Sequence, residues 1–329
     1  MKKLYLHIGS NKTGTTSIQD TFHLNRPALE AQGVIYPGKE RRHHTFYFAA
    51  QQDKAHWPRQ FQHANAAELE QRIADFFDAL TYDFQRHASV YLLSTEYLFI
   101  SDKPAIERTL QWLHRFFDDI EIVAFVRQPS THYASAQQQV IKARHYLQSP
   151  ENYYYPFKSV IDAWAAYCPV TVFQYHEKQD SLTTLADHIG IEVAHFQTPV
   201  RANASLCVEQ MLMLEKIQKI LYADSANIFK EHLSHIHKMK PDEPTKAVLK
   251  TGISDYIDGR HYEDIYWLNQ TYATHFNINA SKTVKIPVAT HHCSVADIYV
   301  TDLEKYVHYE CSVLDKLLRK LTKIKKAAG

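Results

Sequence analysis

The chain has 329 residues, 45% of them apolar and 22% charged, so it can bury a substantial core and is too apolar to stay disordered. A formal net charge of +1 excludes a broad basic footprint for nucleic acid, and the four cysteines (Cys168, Cys207, Cys293, Cys311) lack the Cys-x-x-Cys spacing of a zinc or redox framework, leaving ordinary buried thiols. No window approaches the roughly 20 apolar residues of a membrane span and no apolar leader follows Met1, so a cytoplasmic protein is expected.

Residues 3–8 read as a short buried strand, and 15–31 as a helix with Ile18, Phe22 and Leu29 on one face and Gly33 as its stop. Between them lies Gly9-Ser10-Asn11-Lys12-Thr13-Gly14-Thr15-Thr16. Strand, glycine loop and helix in this order aim backbone N–H groups and a helix N-terminus at an anion. In the nucleotide-binding loop G-x-x-x-x-G-K-[ST], the lysine follows the second glycine and reaches the β- and γ-phosphates. Here Gly9 and Gly14 keep that spacing, but Thr15 stands where the lysine would be and the cation sits at Lys12. The displacement weakens a triphosphate–magnesium site and suits a smaller, differently charged phosphate group.

Further strands are expected at 34–36, 89–94, 120–126 and 170–174, separated by helices at 66–87, 104–117 and 130–145. This alternation predicts an α/β fold with a central parallel sheet covered on both faces, whose ligands bind at the carboxyl ends of strands. The glycine loop, Glu96 and Arg127 all follow strand ends, so one cleft can hold them. From 205 the pattern turns helical, at 205–222, 261–276 and 302–325. The expected organisation is an α/β core over 1–204 with a helical extension over 205–329 packed on it, together one structural domain. The lysine-rich stretch 228–260 reads as a mobile cover.

Lys12-Thr13-Gly14-Thr15-Thr16-Ser17-Ile18-Gln19 resembles the 5′-phosphosulfate loop of sulfotransferases that use 3′-phosphoadenosine 5′-phosphosulfate (PAPS). A second stretch is similar to the same family: Val123-Ala124-Phe125-Val126 runs into Arg127-Gln128-Pro129 and a helix, and Ser135 follows Arg127 by eight residues. The family holds the donor's 3′-phosphate with an arginine and a serine so spaced. Pro129 suits a first helical turn, and arginine's planar fork can meet two phosphate oxygens. The resemblance covers 1–36 and 88–145 well and 170–206 weakly, and it implies a P-loop-like three-layer fold and a PAPS-dependent sulfotransferase of the bacterial, carbohydrate-type branch.

Sulfuryl transfer needs a cation for the leaving phosphate and a base for the acceptor hydroxyl. Lys12 suits the first task, with Thr13, Gly14, Thr15, Thr16 and Ser17 around the 5′-phosphate. Glu96 is the expected base: it follows the strand 89–94, and the resemblance implies a glutamate there in sugar sulfotransferases, where cytosolic small-molecule members have histidine. His7, two residues before Gly9, is the rival base, set against packing as a core histidine. The resemblance also implies that Tyr175 contacts the adenine and that Arg201, near Asn203, adds charge at the 3′-phosphate. Aromatics and histidines at His43-His44-Thr45-Phe46-Tyr47, Trp57-Pro58-Arg59 and Tyr153-Tyr154-Tyr155 could line a saccharide or glycolipid site, although most such rings are core.

The 21 histidines include His232, His235, His237 and the pair His291-His292, but no His-Glu-x-x-His pattern, and no metal is expected. The last helix sets Leu314, Leu317, Leu318, Leu321 and Ile324 on one stripe beside Lys316, Arg319, Lys320 and Lys323. The stripe is expected to pack on the body, with peripheral attachment to anionic lipid as the alternative. Two other functions compete. A kinase acting on ATP would need lysine at position 15 and an acidic residue closing a strand; Thr15 fails the first requirement, and Asp118 and Asp119 precede their strand. A non-catalytic nucleotide-binding module would keep the loop without turnover.

Overall fold

A computed structural model describes residues 2–57, 65–199, 205–221, 231–278 and 292–327. In chain order its first elements are β1 (Lys3–Gly9), α1 (Thr15–Leu24), α2 (Arg26–Glu30), β2 (Val34–Ile35), α3 (His44–Ala50), α4 (Ala66–Phe84) and β3 (Val90–Ser94). Then come α5 (Lys103–Leu113), β4 (Asp119–Val126), α6 (Pro129–Val140), β5 (Leu147–Gln148), α7 (Phe157–Ala165), β6 (Val170–Gln174) and α8 (Ser181–Ile189). The remainder is α9 (Val208–Leu221), α10 (Glu231–Lys238), α11 (Ile253–Arg260), α12 (Tyr262–Thr271), β7 (His292–Cys293), α13 (Val295–Ile298) and α14 (Leu303–Ala327). The chain divides into two compact units: Met1–Gln128 with Tyr155–Val200 and Glu263–Ile278, and Pro129–Tyr154 with Arg201–Tyr262 and Asn279–Gly329. Both units are thus assembled from discontinuous segments.

The first unit is α/β, built on a five-stranded parallel sheet in the order β2-β3-β1-β4-β6. Side chains alternate across a strand, and β1 shows the consequence. Leu4, Leu6 and Ile8 enter one core with Phe46, Leu80, Ile106 and Trp164; Tyr5 enters another with Ile18, Phe22, Leu182 and Leu185. Helices therefore cover both faces, consistent with three layers, and a strand buried on both sides must be apolar throughout. Each fully buried leucine or isoleucine contributes roughly 1.5–3 kcal/mol by leaving water. From β1 the chain runs to the edge strand β2 and returns through β3, then crosses past β1 to β4 and β6, so the carboxyl ends of β1 and β4 flank a topological switch point.

The expected helix 15–31 is broken at Asn25. Pro27 lies in the first turn of α2 and has no N–H to continue a ladder, while the Asn25 side-chain amide donates to Thr21 O and Gln197 O, both at 2.8 Å. Helix α3 was hidden in the sequence because Phe46, Tyr47 and Phe48 are all buried, which erases any amphipathic period.

In the second unit, the described part of the stretch 228–260 contains α10 and α11, and Leu249 bridges Tyr299. The N-terminus of α6 meets the Asp258 carboxylate, to which the Ser130 N–H and hydroxyl both donate at 2.8 Å. Strands β5 and β7 pair antiparallel. On α14, Tyr309 and Val313 are buried, whereas Leu314 is 52% exposed and Cys311 is exposed, so neither follows the expectation of burial; the side chains of the rest of that stripe lie outside the described residues. No described helix is long and apolar enough to cross a membrane.

Candidate functional site

Four strand ends meet around the switch point. Beyond the strands proper, Thr95 N–H donates to His7 O at 2.9 Å, Ser10 N–H to Phe125 O at 2.8 Å and Tyr175 N–H to Val126 O at 2.7 Å. These bonds carry the sheet into the loops and hold the segments after β1, β3, β4 and β6 together. The β1–β4 register slips between His7 and Gly9, a bulge of the kind that re-aims a strand end.

The loop itself is braced from within. Thr13, fully buried, donates its hydroxyl to Ser10 O at 2.5 Å, and Ser181, on the first turn of α8, donates its hydroxyl to Thr13 O at 2.8 Å. Thr13 is therefore a structural member of the loop, and its side chain is already engaged. Lys12 has φ +62°, left-handed backbone that L residues rarely adopt. Gly14, at φ +85°, caps α1, and a Cβ there would stand 3.1 Å from Ser181 Oγ. Thr15, Thr16 and Ser17 form the first turn of α1, whose N–H groups have no intrahelical acceptor.

Arg127, only 11% exposed in its side chain, reaches this loop directly. Its Nη1 donates to Lys12 O at 3.1 Å, its Nη2 to Glu177 Oε1 at 3.1 Å, and its guanidinium lies 4.8 Å from the Tyr175 ring centroid. The backbone of one predicted anion-binding residue thus holds the guanidinium of the other, with Tyr175 stacked against that guanidinium. Ser135 is half-buried on α6, in the second unit. Arg201, Asn203, Pro58 and Arg59 lie outside the described residues.

Glu96 opens a short 3-10 turn, Glu96–Ile100, straight after β3. A Cβ at Gly9 would come within 2.9 Å of Glu96 Cα and 3.1 Å of its Cβ, so only glycine lets the loop and the carboxylate's backbone approach this closely. The Glu96 side chain is 13% exposed; Oε2 accepts from Gln19 Nε2 at 2.7 Å and Oε1 lies 3.7 Å from His44 Nε2. His44 is anchored through Nδ1, 2.9 Å from Thr95 Oγ1, and stacks on Tyr97 at 4.2 Å. Burial, reinforced by Arg42 and Arg72 against the pull of Glu96 and Glu40, holds its pKa below the usual imidazole value. Burial also pushes the Tyr97 phenol up to about 12.

His7 differs. It is fully buried, its Nδ1 lies 2.7 Å from Ser94 Oγ, and its Nε2 has no hydrogen-bond partner among the described residues. Burial lowers its pKa to about 4, only partly offset by Glu96, so it is a neutral core imidazole packed edge-on to Phe125. His7 is thus sealed from solvent, whereas Glu96 keeps 13% of its side chain in contact with it.

Of the acceptor-side candidates, Phe46, Tyr47, Trp57 and Tyr153 are core, and His43 is fully buried, bonded to Pro37 O and Ser94 N–H. Tyr154 is half exposed and stacks on His261 in the second unit. Tyr155 donates to Asn11 Oδ1 at 3.1 Å in the glycine loop, and burial raises its pKa. Sequence reasoning missed Gln19, Ser181 and Glu177. Gln19 alone carried a signal, as the last residue of the stretch 12–19 that resembles the phosphosulfate loop. No group of three or more histidine, cysteine, aspartate or glutamate side chains that could hold a metal occurs among the described residues.

No protein-family model matches the chain, and no curated protein matches it at a significant level.

Proposed function

We propose that this chain is a sulfotransferase of P-loop-like fold that moves the sulfuryl group of PAPS to a hydroxyl of a saccharide or glycolipid acceptor, acting in the cytoplasm. One observation supports this most: Lys12, Arg127 and Glu96 come together at the switch point, the first two through a 3.1 Å hydrogen bond and the third by packing on Gly9. A loop that carries Lys12 and holds the Arg127 guanidinium beside the first turn of α1 suits a donor with two phosphates, and a half-sealed carboxylate suits the removal of a hydroxyl proton.

In this chemistry the acceptor oxygen bonds to sulfur as the bond from sulfur to the donor's phosphate oxygen breaks. Glu96 takes the acceptor proton, and the Lys12 ammonium stabilises negative charge growing on the leaving phosphate. Arg127 holds the 3′-phosphate, and Tyr175 meets the adenine. An arriving 3′-phosphate competes with the Glu177 carboxylate for the Arg127 guanidinium.

The test combines calorimetric binding of adenosine 3′,5′-bisphosphate with transfer of labelled sulfate from PAPS to a glycan panel. Lys12→Ala is expected to lower turnover by about 10²–10³-fold. Arg127→Ala should weaken nucleotide binding by about tenfold or more, the worth of one charged hydrogen bond. Glu96→Gln should bind nucleotide normally and fail to transfer. Turnover with ATP and magnesium but not PAPS would replace this assignment with a kinase, and tight nucleotide binding without turnover would replace it with a binding module.

A further inference from the structure

Glu96 is gripped at one oxygen and open at the other. Oε2 accepts from Gln19 Nε2 at 2.7 Å, while Oε1 faces His44 Nε2 across 3.7 Å. That span exceeds the N–H···O range, yet an oxygen atom can stand about 2.8 Å from both ends of it. His44 is not free to close the gap, because Thr95 fixes its Nδ1 at 2.9 Å and Tyr97 stacks on its ring.

The tautomer follows from the neighbours. His44 is faced by the carboxylates of Glu96 and Glu40 and the guanidinium groups of Arg42 and Arg72, and the balance with burial leaves it neutral near pH 7. A neutral ring with its proton on Nδ1 would aim a lone pair at the Glu96 carboxylate. With Thr95 donating its hydroxyl to Nδ1, the proton lies on Nε2 and points toward Oε1, which is the favourable arrangement.

We propose that His44 and Glu96 bracket the acceptor hydroxyl, His44 Nε2–H donating to its oxygen while Glu96 Oε1 accepts its proton. The inference rests on the sulfuryl transfer proposed above. An alcohol oxygen has two lone pairs, so one can be held by His44 while the other attacks sulfur; its O–H proton passes to Oε1, and the electron pair of the breaking S–O bond leaves with the donor phosphate. A primary amine has a single lone pair, and an amine held by His44 in this way has none left for attack. The bracket therefore selects hydroxyl over amine acceptors.

The experiment uses the full chain with PAPS and methyl glycosides of glucose, galactose and glucosamine as probes. His44→Phe keeps a ring for stacking on Tyr97 but removes the donor, and is expected to cut transfer to the glucosides by about 10²-fold, the usual loss for one preorganised donor. His44→Gln retains an N–H and should recover at least about tenfold of that loss, since a charge-free donor still orients the oxygen. Both variants should bind adenosine 3′,5′-bisphosphate within about twofold of the parent, as neither touches the anion loop. Equal rates in parent and His44→Phe, or equal losses in the two variants, overturn the bracket. If the parent transfers sulfate to none of the probes, the sulfotransferase assignment is what fails. Nitrogen-15 chemical shifts of His44 in the free protein then test the bracket by itself: a proton on Nε2 supports it, and a proton on Nδ1 overturns it.

Discussion

Lys12 pairs a left-handed backbone with a charged side chain, φ +62° in a loop where glycine would be the expected occupant. Holding an L residue there costs about 1 kcal/mol, which persists only because the surrounding bonds impose it. The peptide oxygen of Lys12 is one of them, since it accepts from Arg127. Lys12→Gly is accordingly expected to fold with stability within about 1 kcal/mol of the parent, glycine's relief of strain offsetting its greater entropy when unfolded. It should nevertheless lose turnover as fully as the alanine variant. Urea unfolding read beside the transfer assay checks this, and retained activity in Lys12→Gly would remove the ammonium from the chemistry. Glu96 and His7 make a second contrast at this scale. Both sit at the carboxyl end of the sheet, but one keeps 13% of its side chain in contact with water and the other keeps none.

At the scale of elements, the glycine loop and the 3-10 turn after β3 meet through Gly9. Its φ of +109° and the 2.9 Å approach of a would-be Cβ to Glu96 Cα act together. The obstructing atom is backbone and cannot swing aside. Gly9→Ala should therefore cost more than the roughly 1 kcal/mol usual for alanine at positive φ, and should push Glu96 away from Gln19 and His44. Thermal unfolding together with acceptor turnover reads both effects; an alanine variant of unchanged stability would show that the approach is looser than described. On α14 the buried residues Tyr309 and Val313 define the docked face near its start, and the exposure of Leu314 turns part of the apolar stripe away from it.

For the whole molecule, buried neutral histidines give the fold its acid sensitivity. His7 and His43 are both fully buried, with pKa values lowered to about 4 and about 3 chiefly by burial. An unfolded histidine titrates near 6.5, so below that pH the unfolded chain takes up protons that the folded chain refuses. The stability is complete above pH 6.5 and is lost as pH falls toward 4. His7 by itself accounts for about 3 kcal/mol of that loss, at about 1.4 kcal/mol per unit of pKa shift. Urea unfolding at pH 7, 6, 5 and 4.5 should show a progressive decline, and His7→Gln should make it shallower even if its starting stability is lower. Parallel declines in the two proteins would mean that His7 is already charged in the fold or shielded by other means.

The strand–loop–helix unit at the N-terminus, the alternation that builds a parallel sheet, and the placing of Lys12, Glu96 and Arg127 after strand ends were all legible in the chain. Each is a local signal: a period, a glycine spacing, or a charge after an apolar run. The break at Asn25 was written beside Pro27 but outweighed by the apolar period around it. What the chain could not show is which side chains become neighbours across the sheet. Gln19, His44 and Ser181 reach the site from three separate helices, and the interleaving of two units from discontinuous segments is likewise a matter of contact. Such pairings are decided by the strand order β2-β3-β1-β4-β6. That order sets carboxyl ends side by side regardless of their distance along the chain, and long-range contact has no period for a sequence to display.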